Sequence, residues 1–198
     1  MRYNELTFQG RNAVLEAFRS GKTIDKLFIL DGCQDGPIKS IVREAKKTDA
    51  IINYVDKERL DRLAGTGHHQ GVVAIGAAYE YAEVDDILAA AKEKGEDPFI
   101  FILDEIEDPH NLGAIIRTAN LAGAHGVIIP KRRAVGLTAT VAKTSAGAIN
   151  YTPVAKVTNI SQTIEELKKQ GLWFVCADMG GETMYNLNLK GPIGLVIG

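Results

Sequence analysis

Five consecutive apolar residues, Phe99-Ile100-Phe101-Ile102-Leu103, set the strongest constraint on the fold. A run this short and uniformly apolar, bounded by Pro98 and Asp104, suits a strand buried on both faces. Similar runs follow at Gly126-Val127-Ile128-Ile129, closed by Pro130, at Leu172 to Ala177 and at Ile193 to Ile197. Between them the spacing becomes helical: Leu112 to Ala122 ended by Gly123, Leu137 to Ser145, and Ile160 to Gln170 ended by Gly171. Tyr151 to Val154 reads as one more short strand. Apolar strands alternating with helices predict a parallel sheet with helices on both sides.

The N-terminal third repeats the α/β alternation on a smaller scale. Helical spacing covers Asn12 to Phe18, Ile38 to Lys46 and Lys57 to Leu63, the last stopped by Gly65. Strand signals fall at Leu27 to Leu30, Ile51 to Val55 and Gly71 to Ile75. A polar-faced helix from Val84 to Lys94 leads to Gly95-Glu96-Asp97-Pro98, where glycine, proline and acids cluster as they do at domain boundaries. The expected organisation is an N-terminal α/β sandwich domain over 1–78, a linker over 79–97 and a parallel-sheet domain over 98–198.

Charge is unevenly distributed. The chain carries 23 Lys and Arg against 25 Asp and Glu, a net charge of −2. Ten acids nevertheless crowd between Glu83 and Asp108, and none occurs from Pro109 to Ile164. The acid-free stretch holds Arg117, Lys131, Arg132, Arg133, Lys143 and Lys156. Such asymmetry is a hint of an anionic partner. The two cysteines, Cys33 and Cys176, lie far apart without a C-x-x-C partner, as expected of free thiols in a reducing cytoplasm. Met1 to Glu5 has no apolar core of a signal peptide, and no run approaches the ~18 apolar residues of a membrane span.

The chemistry concentrates where Leu103 gives way to Asp104-Glu105-Ile106-Glu107-Asp108-Pro109-His110-Asn111-Leu112-Gly113 and then Arg117-Thr118-Ala119. This segment leaves the carboxyl end of a strand and opens a helix, the position where open α/β sheets bind ligands. Asn111 is placed to cap the helix. Arg117, set among Ile115, Ile116 and Ala119, should pair with an acid or face a pocket. Gly113 allows a backbone or a ligand to come close. The acids of the loop lack a His or Cys cluster, so no metal site is expected. No G-x-G-x-x-G or P-loop is present.

As a whole, this run resembles the first signature motif of the SpoU (TrmH-like) family of RNA 2′-O-ribose methyltransferases, in the SPOUT superfamily. The matching residues are Asp108-Pro109, Asn111-Leu112-Gly113, Arg117-Thr118-Ala119, Ala122-Gly123-Ala124 and Gly126, then Lys143 and Ser145-Ala146-Gly147-Ala148. Upstream, Gly10 to Ala17 and His69-Gln70-Gly71-Val72-Val73-Ala74 are similar to the family's N-terminal substrate-binding domain, itself like the ribosomal L30e/L7Ae fold. The two-domain arrangement is most similar to the enzymes that methylate a guanosine ribose in 23S rRNA. The resemblance implies S-adenosyl-L-methionine as methyl donor, Asn111 and Arg117 in the active site, and a homodimer formed through the methyltransferase domain. It also points to Arg11, Asn12, His68, His69 and Gln70 as RNA-binding residues, which Lys131, Arg132 and Arg133 join on grounds of charge. His68 and His69 are not a metal pair, because neighbours on an extended chain point apart.

Beyond the position matching Gly198, family members continue into a Gly/Glu-rich second motif and a Ser-Leu-Asn third motif. Those motifs carry most cofactor contacts and thread a C-terminal trefoil knot. Only Gly198 carries over as a cofactor contact, so cofactor pocket and knot are expected to be incomplete within these 198 residues. The nearest enzyme alternatives are a tRNA or an antibiotic-resistance rRNA 2′-O-methyltransferase of the same family. A different class is a catalytically inactive RNA-binding or ribosome-assembly protein.

Overall fold

The computed structural model describes residues 6–48, 50–65 and 68–198. The expectation made for Met1 to Glu5 lies outside them. The chain divides into two compact units, Met1–Glu80 and Tyr81–Gly198.

The first unit runs β1 (Leu6–Gln9), α1 (Arg11–Arg19), β2 (Ile24–Leu30), α2 (Gly36–Lys47), β3 (Ile51–Val55), α3 (Lys57–Ala64) and β4 (Val72–Gly76). Its sheet has the order β1-β4-β2-β3. β4 lies antiparallel to β1 and to β2, while β2 and β3 are parallel. Side chains alternate between faces along a strand. Leu27, Ile29, Val72 and Ala74 accordingly pack with Val14, Phe18, Ile38 and Ile41 of α1 and α2. Phe28 and Val73 turn the other way, onto Leu60 of α3 and Val55. Both faces of β2 are covered, which is why its Leu27–Leu30 run is apolar without alternation. β1 escapes sequence reading because it is a four-residue edge strand with Leu6 and Thr7 exposed. The helices start where side chains accept their free amides: Asp35 takes the Ile38 N–H at 3.2 Å and Asp56 the Arg59 N–H at 2.8 Å.

The second unit runs α4 (Val84–Lys94), β5 (Phe99–Leu103), α5 (Pro109–Leu121), β6 (Gly126–Pro130), α6 (Ala139–Thr144), β7 (Val154–Val157), α7 (Ile160–Lys169), β8 (Trp173–Cys176) and β9 (Ile193–Ile197). All five strands are parallel, in the order β7-β6-β5-β9-β8. Ile87 of α4 and Leu167 of α7 pack with Ile100, Ile102 and Ile128 on one face. By alternation Phe101, Leu103, Val127 and Ile129, also buried, turn to the other.

Two segments differ from the sequence reading. Where a linker is expected over 79–97, α4 instead contributes to the second unit's core, with Ile87 and Ala91 fully buried. The strand expected at Tyr151 to Val154 begins only at Val154. Ala148–Asn150 is a 3-10 turn, Tyr151 is exposed, and Pro153 brings no N–H to a ladder.

His125 secures the start of this sheet from a buried position. Its Nδ1 accepts the Phe99 N–H at 3.1 Å, so in the neutral ring Nε2 carries the proton and donates to Glu96 at 3.0 Å. Among the described residues no helix is long and apolar enough to cross a membrane.

At Gly126 a Cβ would stand only 2.5–2.8 Å from three atoms of the buried Ile87 side chain. Gly126→Ala is therefore expected to cost about 1–3 kcal/mol by overpacking. Ile87→Val, which removes the nearest atom, should recover part of that loss. Urea unfolding of the two single variants and the double variant checks this; strictly additive changes would contradict it.

Candidate active site and RNA interface

The strand order fixes where a ligand can enter the second unit. From β5 the chain steps outward to β6 and β7, then crosses to β8 and returns through β9 to lie beside β5. β5 and β9, the unit's first and last strands in sequence, thus lie side by side in the interior of the sheet, and open parallel sheets bind ligands in the crevice outside the carboxyl ends of their strands. Asp104 and Gly198 meet there. The Asp104 N–H donates to the Ile197 carbonyl at 2.8 Å, and a Cβ on Gly198 would lie 3.4 Å from the Asp104 carbonyl oxygen.

The loops at this edge are bent and cross-linked. Glu105 and Arg133 both adopt positive φ, 54° each. Such a backbone costs on the order of 1–3 kcal/mol per residue and persists where the surroundings enforce it. The two side chains bond to one another at 2.9 Å, tying the loop after β5 to the loop after β6. The bond to Glu105 raises the Arg133 pKa further above its ordinary value, so this guanidinium stays charged. Of the other basic residues, Lys156 sits over the Tyr81 ring at 4.7 Å. Arg132 and Lys143 are exposed and make no ion pair among the described residues.

α5 starts earlier than its periodicity suggests. Asp108, not Asn111, is the N-cap, accepting the His110 N–H at 2.8 Å, and Pro109 fills the first turn. Freed from capping, the exposed Asn111 amide has no partner among the described residues. Gly113 serves a backbone rather than a ligand: a Cβ there would overlap Thr144 Oγ1 and stand 2.9 Å from the Ser145 nitrogen, so α5 and α6 pack at glycine distance. Arg117 is exposed and, among the described residues, pairs with no acid. The buried stripe of α5 is Leu112, Gly113, Ile116 and Ala119. At ~100° and ~1.5 Å per residue, Asn111 and Arg117 flank this stripe on opposite sides, about 9 Å apart along the axis. The structure does not bring them together on one helix face.

The first unit holds a second candidate locus, an open cleft of about 610 Å³ lined by Arg11, Asn12, Leu30, Cys33, Pro37, Gln70 and Gly71. Its backbone is tightly specified. Gly10 and Gly71 have φ of 85° and 81°, and Gln70, a non-glycine, has 50°. Gln70 Oε1 accepts the Arg11 N–H at 3.1 Å, and its carbonyl accepts from Arg11 Nε at 3.2 Å. Fixing Oε1 as the acceptor directs the amide N–H groups elsewhere. Arg11 Nη2 donates to Asp35 at 2.6 Å. His69 takes no place on the cleft wall. It is buried, its Nδ1 accepts the Gly71 N–H at 2.9 Å, and Nε2 lies 3.0 Å from Asp61 Oδ1. Both ring nitrogens are committed within the protein, and they hold the loop that carries Gln70. His68 is exposed. Asp35 and Asp61 were not singled out by sequence reasoning. Asp35 before Gly36-Pro37 carries a helix-start signature that would have found it; the long-range contact of Asp61 leaves no local signal. Among the described residues no three His, Cys, Asp or Glu converge as metal ligands.

Two families match separate parts of the chain. The SpoU rRNA Methylase family matches residues 98–198, and the family described as RNA 2′-O ribose methyltransferase substrate binding matches residues 9–82. A TrmH family tRNA/rRNA methyltransferase of Bacillus subtilis (strain 168) is 52% identical over 190 residues, 96% of this chain and 76% of that protein. A namesake in Staphylococcus haemolyticus is 46% identical over 195 residues, 98% of this chain and 78% of that one. Two solved structures share the fold. The rRNA methyltransferase from Sinorhizobium meliloti has a TM-score of 0.52 at 23% identity, covering 98% of this chain and 71% of that chain. The SpoU methyltransferase AviRb from Streptomyces viridochromogenes, solved with AdoMet, has 0.53 at 20%, covering 98% and 72%.

His69→Ala leaves the Gly71 N–H and the Asp61 carboxylate without their shared partner. A loss of about 1–3 kcal/mol is expected, together with faster hydrogen exchange at Gly71. Unaltered exchange there would contradict the positioning role.

Proposed function

Because the chain belongs to the SpoU family of RNA methyltransferases, we propose that it methylates the ribose 2′-hydroxyl of a guanosine in 23S rRNA. The family is S-adenosylmethionine-dependent, and that is the methyl donor of this enzyme. The observation that carries the reading is the union, in one chain, of an RNA 2′-O-ribose substrate-binding unit with a methylase unit.

A ribose hydroxyl is a poor nucleophile, and the negative charge that develops on its oxygen needs stabilising. Arginine stays protonated, so Arg117 acts as a phosphate clamp and a source of positive field rather than as a base. Its exposure and lack of partners among the described residues support that use. Asn111, free of capping duty, supplies an amide to orient the ribose. The β5–β9 edge is the proposed seat of the methyl donor: Gly198 adjoins the Asp104 carbonyl, and the exposed carboxylates of Asp104 and Glu107 suit a cationic group. When bound, the donor supplies an electrophilic methyl on a sulfonium; its proposed contact in this chain is Gly198.

Arg11, Asn12 and Gln70 in the cleft, with Lys131, Arg132 and Arg133 beside the methylase edge, hold the RNA; His69 contributes through the Gln70 loop. Arg132 and Lys143, like Arg117, are exposed cations that can meet phosphates without first breaking an ion pair. A homodimer through the methylase unit is part of the proposal. Leu121 at the end of α5 and Tyr151 beyond the 3-10 turn that packs on it are each 81% exposed, an apolar surface suited to a second copy. The proposed compartment is the cytoplasm, where rRNA is processed.

Arg117→Ala should lower methyl transfer from labelled S-adenosylmethionine to 23S rRNA by about 10²-fold or more, with the unfolding midpoint unchanged. Full activity of the variant would remove Arg117 from the mechanism. Equal labelling of tRNA and 23S rRNA transcripts by the wild type would overturn the rRNA assignment.

A further inference from the structure

One charged surface of the first unit is unused by everything above. α2 carries four cations, Lys39, Arg43, Lys46 and Lys47, against the single acid Glu44. They surround a groove of about 410 Å³ floored by Val42. Lys47 is held by both Glu44 oxygens at 3.0 Å, while Arg43 only reaches the same carboxylate at 3.8 Å. Lys39 and Lys46 are exposed and make no ion pair among the described residues. Glu44 is therefore largely taken up by one partner, and three cations remain to meet an external anion.

Helix stability does not account for this pattern. Lys46 and Lys47 stand in the last turn, where cations favour the helix dipole. Lys39 stands near the amino end, where a cation is unfavourable for the helix dipole, and the N-cap acid there, Asp35, is already engaged by the Ile38 N–H and by Arg11. The positions are also ordered. Asp35, Lys39 and Arg43 follow one another at four-residue spacing, which stacks them along one side of the helix. Asp35 is the residue that grips Arg11 of the cleft. A row of cations thus runs from the Arg11 guanidinium down α2, interrupted only by the Asp35 carboxylate that Arg11 already engages. From Lys39 to Lys46 it extends about 10 Å, the length of two or three phosphates at ~3.4 Å of axial rise each.

We propose that this α2 ridge binds the phosphate backbone of the RNA strand whose nucleotide occupies the Arg11–Gln70 cleft, extending the footprint of the substrate-binding unit beyond that nucleotide. The proposal rests on the reading of the chain as an RNA methyltransferase. An RNA backbone is favoured over an acidic protein because the ridge is continuous with the cleft, within the segment that matches an RNA 2′-O-ribose substrate-binding family.

The test is the salt dependence of 23S rRNA transcript binding by the full chain, measured by filter binding. A K39Q/R43Q/K46Q variant should have a slope of log K against log salt shallower by about 2, from ~0.7 per lost single-strand phosphate contact. A K168Q/K169Q variant, which removes two lysines from the end of α7, should keep the wild-type slope. Should the triple variant unfold, the three single variants each predict a change of ~0.7. An unchanged slope in the ridge variants, or an equal loss in the α7 variant, overturns the ridge. Competition by poly-glutamate as effective as that by rRNA reassigns it to an acidic partner and likewise overturns the proposal. A wild-type chain with no salt-dependent rRNA binding at all would instead bring down the RNA reading on which the proposal stands.

Discussion

The parallel pairing of β5 with β9 is the constraint on which the methylase unit depends. It joins Phe99 to Ile193 and proceeds in register to Leu103 and Ile197. Because β9 returns between β5 and β8, the first and last strands of the unit become neighbours in the interior of the sheet. The carboxyl ends of the two strands then open onto one edge, where Asp104 and Gly198 meet and from which α5 departs. The packing of the unit serves the same end. Glycines at 113, 126 and 194 let α6, Ile87 and the Phe174 ring approach at distances no Cβ would permit. These close contacts fix α5, α4 and β8 against their neighbours and leave the edge loops to carry chemistry.

Both candidate loci use the same physical device. In the first unit Gln70 is held in a left-handed backbone by bonds from Arg11 to its amide oxygen and carbonyl, with buried His69 gripping the next amide. In the second, Glu105 and Arg133 are both left-handed and hold one another. A non-glycine residue in that region persists only when its neighbours enforce it. Of the four described non-glycine residues at positive φ, Gln70, Glu105 and Arg133 fall at the two candidate loci, and the fourth, Ala146, follows α6.

The sequence reveals the fold well where burial is two-sided. Apolar runs such as Phe99 to Leu103 have no alternation to confuse with a helix face, and glycines mark the helix ends. Reading fails where a tertiary contact decides. β1 is an exposed edge strand whose identity comes from β4. Asn111 and Asp108 both suit an N-cap, and only the geometry selects Asp108. His69 looks like a polar loop residue until Asp61 and the Gly71 amide are found beside it. The acid-free basic stretch is legible as a charge anomaly, but not its internal sorting: Arg133 goes to Glu105 and Lys156 to Tyr81, leaving Arg117, Arg132 and Lys143 exposed. The α2 ridge is invisible in the totals because it lies in a chain of net charge −2.

The proposed division of labour gives the RNA strand to the cleft and α2 cations of the first unit and the hydroxyl to the methylase edge. The central claim is that the methyl group goes to a ribose oxygen rather than to a base. Alkaline hydrolysis of 23S rRNA labelled by the purified protein tests it most directly, since a 2′-O-methyl blocks cleavage at its own nucleotide. The account predicts label confined to one alkali-resistant dinucleotide with guanosine at its 5′ side. Label released as a methylated mononucleotide, with none in the resistant fraction, would contradict it.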